Sequence, residues 1–286
     1  MSNSSRLTIA KTVLRISLLF LLSFPANAQA QKWRLVWTDE FNGANGTAVD
    51  NAKWTAETGG SGWGNQELEY YTNSTNNAYQ NGKGSLVIKA ISENPPNSQC
   101  WYGPCLYSSA RLVTKGKFDY KTGRFEARIK IPAGQGLWPA FWMLGNNIDQ
   151  VSWPTCGEID IMENIGREPS IVHGTIHGPG YSGGSSIGAP YTLAKGKRFS
   201  DDFHIYKVEW EPNVIRWYVD GNLYQTRTPS SLPAGTNWVY DHPFFLILNV
   251  AVGGGWPGNP DQTTVFPQAM MVDYVRVYKL RFINKP

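Results

Sequence analysis

The segment Tyr206-Lys-Val-Glu-Trp210-Glu-Pro-Asn-Val214-Ile-Arg-Trp-Tyr-Val219-Asp-Gly221 decides the fold class of this chain. Its apolar residues alternate with polar ones, which is the pattern of a strand with one buried face. Glu211-Pro-Asn213 separates the two runs as a turn, and Asp220-Gly221 is typical of a tight hairpin turn. The segment therefore predicts antiparallel strands with Trp210 and Trp217 in the core.

The rest of the chain extends this pattern. No convincing amphipathic helix of about twelve residues or more is found, and neither a fixed-period repeat nor a Ser/Pro linker divides the chain. Many short strands at close spacing predict an all-β sandwich or barrel, and one domain over residues 31–286 is the simplest interpretation. Further strand-like segments are Ser85–Ala90, Gly123–Ile131, Ile171–His177, Phe244–Val250 and Met271–Tyr278.

The first thirty residues predict a secretory signal peptide rather than part of the fold. Arg6, Lys11 and Arg15 precede the apolar run 16–24, and the small residues of Ala26-Asn-Ala28 follow it. This order of a basic stretch, a short apolar run and an A-x-A site is typical of such signals. The apolar run is far shorter than the roughly 20 residues that span a bilayer. We expect a secreted protein, extracellular or periplasmic, with no membrane attachment after cleavage.

Composition and charge limit the partners of the chain. Charged residues make up 17% and aromatic residues 13%, which argues against disorder. The formal net charge is +4, with 26 basic and 22 acidic residues. The signal segment holds three of the basic residues and no acid, so the remaining chain is close to neutral, at +1. A basic surface for nucleic acid is therefore unsupported, and we expect a neutral partner and a monomer.

The three cysteines leave one pairing open. Cys100 and Cys105 bracket a turn-rich loop that could close a small disulfide in an oxidising compartment, although strain limits such short loops. Cys156 is most simply a buried thiol. Cysteine and histidine do not cluster at the tight spacing of a zinc site.

Carboxyl groups concentrate in the run Glu158-Ile-Asp-Ile-Met-Glu163. Glu158 and Asp160 are two apart, so they share one face of a strand, while the isoleucines point to the core. Glu163 is five residues from Glu158, and a regular strand would place it on the apolar side. Either Glu163 is buried with the isoleucines, or a bulge near Met162 returns it to the acidic face.

Such a carboxyl cluster can be a solvated surface or a catalytic site. A solvated face is the commoner fate of acidic residues. Here no Lys or Arg occurs from 151 to 166, so crowded carboxyls should split their pKa values and one should stay protonated. Long glutamate side chains that lean together to about 5–5.5 Å make the nucleophile and acid/base of a retaining glycosidase. Asp160 lies between them and can hydrogen-bond the nucleophile.

The run Gly157–Glu163 resembles the active-site signature of glycoside hydrolase family 16. Its Glu-x-Asp-x-x-Glu spacing is similar to the bulged form of laminarinase-type β-1,3-glucanases. It departs from the Glu-x-Asp-x-Glu form of the lichenase and xyloglucan-transferase branches. Segments that match in order over nearly all of the chain after residue 30 are Trp37–Phe41, Gly62–Glu67, Ser109–Leu112, Leu137–Met143, His173–Tyr181, Asn249–Gly258 and Val272–Tyr278.

This resemblance implies an all-β jelly-roll sandwich of two antiparallel sheets with a concave substrate groove. Glu158 would be the nucleophile, Glu163 the general acid/base and Asp160 an assisting carboxylate. A tryptophan in a sandwich is more often core than ligand platform, but those beside Gly or Pro lie in or near loops, where binding residues concentrate. By the same resemblance the substrate-binding residues would be Asn65, Arg111, Trp138, Trp142, His177 and Trp256.

A structural calcium ion is the one metal that the resemblance implies. Its ligands would be Asp273, Glu40 and the carbonyl group of Gly82, and oxygen ligands suit calcium. Asp273 could instead simply alternate with its neighbours on a half-exposed strand. We expect no cofactor for catalysis.

The leading functional hypothesis is a secreted, retaining endo-hydrolase of laminarin-like β-1,3-glucan, with a β-glucan polysaccharide as partner. Alternatives are enzymes of the same fold acting on mixed-linkage β-1,3-1,4-glucan, agarose or carrageenan. A sulfated substrate would favour a basic groove, of which the charge gives no sign. A non-catalytic glucan-recognition protein is disfavoured because both Glu158 and Glu163 are present.

Overall fold

The computed structural model describes Met1 and residues 31–282, so the predicted signal peptide lies almost wholly outside the described residues. Strands dominate, and the helices are single turns: α1 (Ile148–Val151) and two 3₁₀ turns, Gly183–Ser185 and Pro229–Ser231. The strands are β1 (Gln31–Asp39), β2 (Thr55–Glu57), β3 (Glu69–Tyr71), β4 (Ala78–Gln80), β5 (Leu86–Ala90), β6 (Tyr107–Ser109), β7 (Arg111–Val113), β8 (Gly123–Lys130), β9 (Leu137–Gly145), β10 (Glu158–Glu163), β11 (Ile171–His177), β12 (Ile187–Thr192), β13 (His204–Glu211), β14 (Val214–Val219), β15 (Asn222–Arg227), β16 (Phe244–Val252) and β17 (Gln268–Phe282).

Two large antiparallel sheets form the molecule, as predicted. One runs in the order β15-β14-β13-β8-β17-β5-β4, and β1 pairs with the second half of the long strand β17. The other runs in the order β12-β11-β10-β9-β16-β7-β2. A small parallel pair, β3 with β6, lies apart from both. Strand β10, which carries the acidic run, is therefore in the interior of the seven-stranded sheet.

The hairpin that decided the fold class forms as predicted. Strands β13 and β14 pair from Tyr206 with Val219 to Glu211 with Val214. Trp210 and Trp217 are fully buried. Asp220 and Gly221 both have positive φ, 49° and 83°, which is what a type I′ hairpin turn requires.

The main core lies between the two sheets. Strand β8 buries every second residue, as expected of a strand with one face in the core. Strand β16 buries all nine of its residues, because its second face is also covered. On that second face the Val252 N–H donates to Oε2 of Glu69 on β3. The small β3–β6 unit thus closes over one end of the seven-stranded sheet.

The open cysteine pairing is resolved by the structure. Cys100 and Cys105 form a disulfide, and Cys156 is a free, fully buried thiol, as predicted. Burial, together with the nearby Glu158 charge, raises the pKa of Cys156 to about 11. Among the described residues, no helix has the length and apolarity needed to cross a membrane.

Candidate active site

A bulge in β10 brings the three carboxyl groups to one face of the sheet. Asp160 pairs with Trp142 of β9 and Glu163 pairs with Ala140, so three steps along β10 match two along β9. The extra residue lies between Asp160 and Met162, and Met162 is fully buried in the core. Of the two outcomes that the sequence left open, the bulge is therefore the one that occurs.

The outer face of the seven-stranded sheet forms an open groove with a cavity of about 810 Å³. Alternate side chains of β9 line it, since successive residues of a strand point to opposite faces. The three carboxyl groups lie on its floor. All nine sequence-predicted catalytic and substrate-binding residues line this one groove: Asn65, Arg111, Trp138, Trp142, Glu158, Asp160, Glu163, His177 and Trp256.

Burial and crowding give the carboxyl groups unusual acidities. Asp160 is 1% exposed and Glu163 is 9% exposed. Burial, and then the neighbouring Glu158, raise the pKa of Asp160 well above its usual range. Burial, and then the charge of Asp160, raise the pKa of Glu163 in the same direction, against smaller opposing effects of His177 and Trp138. Glu163 thus retains its proton at higher pH than an ordinary glutamic acid.

Each carboxyl group has its own polar neighbour. The Trp138 indole N–H donates to Oε1 of Glu163 at 3.0 Å, and that of Trp153 donates to Oε2 of Glu158 at 2.6 Å. Nε2 of His177 lies 3.1 Å from Oδ2 of Asp160, although this contact is poorly aligned for a regular hydrogen bond.

A backbone contact fixes the proton of His177. The Gly183 N–H donates to Nδ1 of His177 at 3.1 Å, so Nδ1 accepts and the ring proton is on Nε2. Nε2 is the nitrogen that faces Asp160. The ring therefore offers a donor to the carboxyl cluster.

The groove flank formed by β16 and β7 carries a cation between two aromatic rings. The Arg111 guanidinium lies 4.9 Å from the ring centroid of Trp63 and 4.7 Å from that of Trp142. Its Nε donates to Oε2 of Glu57 at 2.5 Å, which holds the side chain in place. Asn65 lies on the same flank and donates to Oε1 of Glu67 at 2.9 Å.

A second aromatic group surrounds Trp256. Its ring packs edge-on to Trp138 at 5.3 Å and to His173 at 5.1 Å between centroids. His173 lines the groove and is bonded to Glu168 at 2.9 Å, so the sequence-based interpretation of His173 as purely structural missed its position. An even spacing from His177 on one strand was the signal that could have placed both on the same face.

Three further groove residues have weak sequence signals. Trp153 is 46% exposed and follows no strand pattern, yet it contacts Glu158. Its place five residues before the acidic run was the available signal. Glu67 and Asn249 are buried polar residues of the groove lining, and nothing local in the sequence marks either as a site residue.

The residues proposed for calcium do not form a ready donor set. Both carboxylate oxygens of Glu40 accept hydrogen bonds from Arg276 at 2.8 Å, and Oδ2 of Asp273 accepts one from Arg128 at 2.7 Å. Gly82 lies in a separate shallow cavity. Calcium binding there remains a prediction and would require both guanidinium groups to move. Within the described part of the chain, the only grouping of three potential His, Cys, Asp or Glu ligands is Glu158, Asp160 and His177, on the groove floor.

Comparison with known proteins agrees with this architecture. Residues 64–276 match the family model described as "Glycosyl hydrolases family 16". The chain is 41% identical over 272 residues to a beta-glucanase of Rhodothermus marinus, covering 91% of this chain and 90% of the relative.

Solved structures are similar along most of the chain. The laminarinase catalytic domain of Thermotoga maritima has 53% sequence identity and a TM-score of 0.81, over 86% of this chain and 98% of that one. SCLam, a non-specific endo-β-1,3(4)-glucanase that presents a gluco-oligosaccharide at its active site, has 37% identity and a TM-score of 0.77, over 86% and 95%. The jelly-roll sandwich prediction is thus confirmed, and the chain is a glycoside hydrolase that belongs to glycosyl hydrolase family 16.

Proposed function

We propose that this chain is a secreted, retaining endo-β-1,3-glucanase in which Glu158 is the nucleophile and Glu163 the general acid/base. The single observation that carries the proposal is the β10 bulge. It places Glu163 on the groove floor with Glu158 and Asp160, where a regular strand would bury it in the core. Two carboxyl groups on either side of a bound sugar linkage are what a two-step glycosidase needs.

The first step forms a glycosyl-enzyme. Glu163 gives its proton to the glycosidic oxygen while a carboxylate oxygen of Glu158 attacks the anomeric carbon. The bond from that carbon to the leaving oxygen breaks, and an ester bond to Glu158 forms. Burial of Glu163 supports this role, because its raised pKa retains the proton that the leaving group must receive.

The second step releases the product with its original configuration. Glu163, now ionised, takes a proton from a water molecule, and the resulting oxygen attacks the anomeric carbon. The ester bond to Glu158 breaks and both carboxyl groups return to their starting states. Asp160, buried between them with a raised pKa, can donate a hydrogen bond to Glu158 and so stabilise the carboxylate each time it is regenerated.

The groove suits a neutral glucan. Pyranose rings have apolar faces and polar rims, and the groove offers tryptophan rings together with polar side chains. Trp138, Trp142 and Trp256 provide the rings, and Asn65 and Arg111 provide donors. The near-neutral charge of residues 31–286 gives no support for a sulfated substrate.

A mixed-linkage β-1,3-1,4-glucan is the second candidate substrate. The observation that favours it is the similarity to SCLam, which is a non-specific endo-β-1,3(4)-glucanase. A purely glucan-binding role is disfavoured, because a binding protein has no need of three carboxyl groups crowded at raised pKa values.

Secretion is supported from two sides. Residues 1–30 have the pattern of a signal peptide, and the Cys100–Cys105 disulfide is typical of an oxidising compartment. We propose that residues 31–286 form a single catalytic domain that works as a monomer without a catalytic cofactor. N-terminal sequencing of the exported protein tests the cleavage site, and light scattering tests the monomer.

Product analysis on laminarin, mixed-linkage glucan and agarose tests the substrate. We expect oligosaccharides from laminarin, and none with the matched Glu158→Gln variant, which keeps the side-chain shape. Intact laminarin alongside cleavage of another polymer would refute the substrate assignment. Binding of laminarin with no cleavage of any polymer would instead favour a recognition protein.

A further inference from the structure

A buried chain of hydrogen bonds joins Trp142 in the groove to the side chain of Glu67, which no catalytic step uses. The Trp142 indole donates to Oδ1 of Asn249 at 2.7 Å, and Nδ2 of Asn249 donates to the Tyr71 hydroxyl at 3.0 Å. The Tyr71 hydroxyl donates to Oε2 of Glu67 at 3.1 Å. Oε1 of Glu67 accepts Nδ2 of Asn65 at 2.9 Å. Two groove residues, Trp142 and Asn65, are thus connected to one carboxyl group.

This chain has only one self-consistent direction. An indole N–H can only donate, so Asn249 must turn its oxygen to Trp142 and its amide protons to Tyr71. The Tyr71 hydroxyl oxygen then accepts from Asn249, and its single proton is left for Glu67. Glu67 is therefore required as an acceptor on both of its oxygens, which only an ionised carboxylate provides without rearrangement.

Glu69 supports Glu67 in this role. The Glu69 side chain is fully buried; its Oε2 accepts the Val252 N–H at 2.6 Å, and its Oε1 has no hydrogen-bond partner. Burial, and then the charge of the neighbouring Glu67, raise the pKa of Glu69 well above its usual range. A protonated Glu69 leaves the negative charge of the pair on Glu67, where two donors meet it.

We propose that Glu67 is a positioning residue that sets the orientation of Trp142, through Tyr71 and Asn249, and that of Asn65 directly, and so shapes the sugar subsite on the β16–β7 flank of the groove. The proposal rests on the proposed function, since Trp142 and Asn65 are taken to contact the glucan. A binding surface needs its side chains held within fractions of an ångström, and fixed indole and amide groups reduce the entropy lost on binding.

Two substitutions break the chain without changing its volume greatly. Glu67→Gln is isosteric but has one acceptor oxygen, so either Tyr71 or Asn65 must face an amide donor. Tyr71→Phe removes only the hydroxyl that links Asn249 to Glu67. The matched control is Tyr274→Phe, because the Tyr274 hydroxyl donates to Oε1 of Glu126 at 3.2 Å in the other sheet.

Steady-state kinetics on laminarin separates positioning from folding. Both groove variants should raise KM about tenfold, equivalent to about 1.4 kcal/mol, with kcat within about twofold of wild type. Tyr274→Phe should keep the wild-type KM. A Trp142→Ala background completes the test: there, Tyr71→Phe should cause no further increase in KM, because the ring that it positions is gone.

Three outcomes would overturn the proposal. They are a wild-type KM in correctly folded Glu67→Gln, a fall in kcat alone, and an undiminished effect of Tyr71→Phe when Trp142 is already alanine. The melting temperature of each variant shows whether it is folded, and Tyr71→Phe provides the test if Glu67→Gln is not. Wild-type protein that leaves laminarin intact would refute the proposed function itself, which is a separate result from any of these three.

Discussion

Replacing Trp138 with phenylalanine removes the N–H group that donates to Oε1 of Glu163 at 3.0 Å. That hydrogen bond favours the ionised carboxylate, so its loss raises the pKa of Glu163 further, in the same direction as burial. The general acid must be protonated when substrate reacts with free enzyme, and the basic limb of kcat/KM reports its ionisation. The basic limb should therefore move to higher pH.

The size of this movement follows from the hydrogen bond that is lost. A hydrogen bond to a charged group contributes about 1.5–3 kcal/mol, and the lower end applies because Trp138 is partly exposed in the groove. Since about 1.4 kcal/mol corresponds to one pH unit, the basic limb should move by about one unit. Loss of the larger indole ring should also lower kcat/KM at every pH, but this does not move the limb.

The assay is kcat/KM for soluble laminari-oligosaccharides across the pH range. Trp142→Phe is the matched control, because its indole donates to Asn249 and not to a carboxyl group. The control should lose activity while its basic limb keeps the wild-type position. A Trp138→Phe profile with an unmoved basic limb, or one moved to lower pH, would refute Glu163 as the acid or Trp138 as its partner.

Three further predictions concern stability and binding. Asp160→Asn should raise the melting temperature near neutral pH by about 2–4 °C in calorimetry, for a gain of about 1 kcal/mol. The folded-state pKa of Asp160 is raised, so its destabilising effect is absent below the unfolded pKa and grows with pH towards the folded one; a gain largest in acid would contradict this. Arg111→Lys should weaken oligosaccharide binding about fivefold in titration calorimetry of the Glu158→Gln protein, since an ammonium group cannot stack as a flat guanidinium does; equal affinity would count against the role of Arg111. Serine at both Cys100 and Cys105 should lower the free energy of unfolding in urea by about 2 kcal/mol through loop-closure entropy, and an unchanged value would contradict that estimate.

Local periodicity predicted the features that depend on neighbouring residues. The alternation in 206–219 fixed the hairpin, because one face of each strand must be buried wherever it pairs. The same reasoning reduced Glu163 to two possible positions. It could not choose between them, because the bulge is fixed by the pairing of β10 with β9 and β11.

Residues brought together from distant parts of the chain were not predictable in this way. Glu67 and Tyr71 meet Asn249 only because β3 covers the end of β16, and no local pattern marks a polar group in the apolar run 244–252. The arginine partner of Glu40 is 236 residues away, so the sequence gave no reason to doubt Glu40 as a free ligand. Long-range pairing decides these contacts.

The central claim is that Glu158 attacks the anomeric carbon, and trapping of the glycosyl-enzyme tests it most directly. A 2-deoxy-2-fluoro laminaribiosyl fluoride should inactivate the protein by slowing the second step more than the first. Mass spectrometry of the digested protein should then find one added glycosyl group, on the peptide that contains Glu158. A label on another residue, or turnover of laminarin with inverted first-formed anomers and no label, would contradict the account.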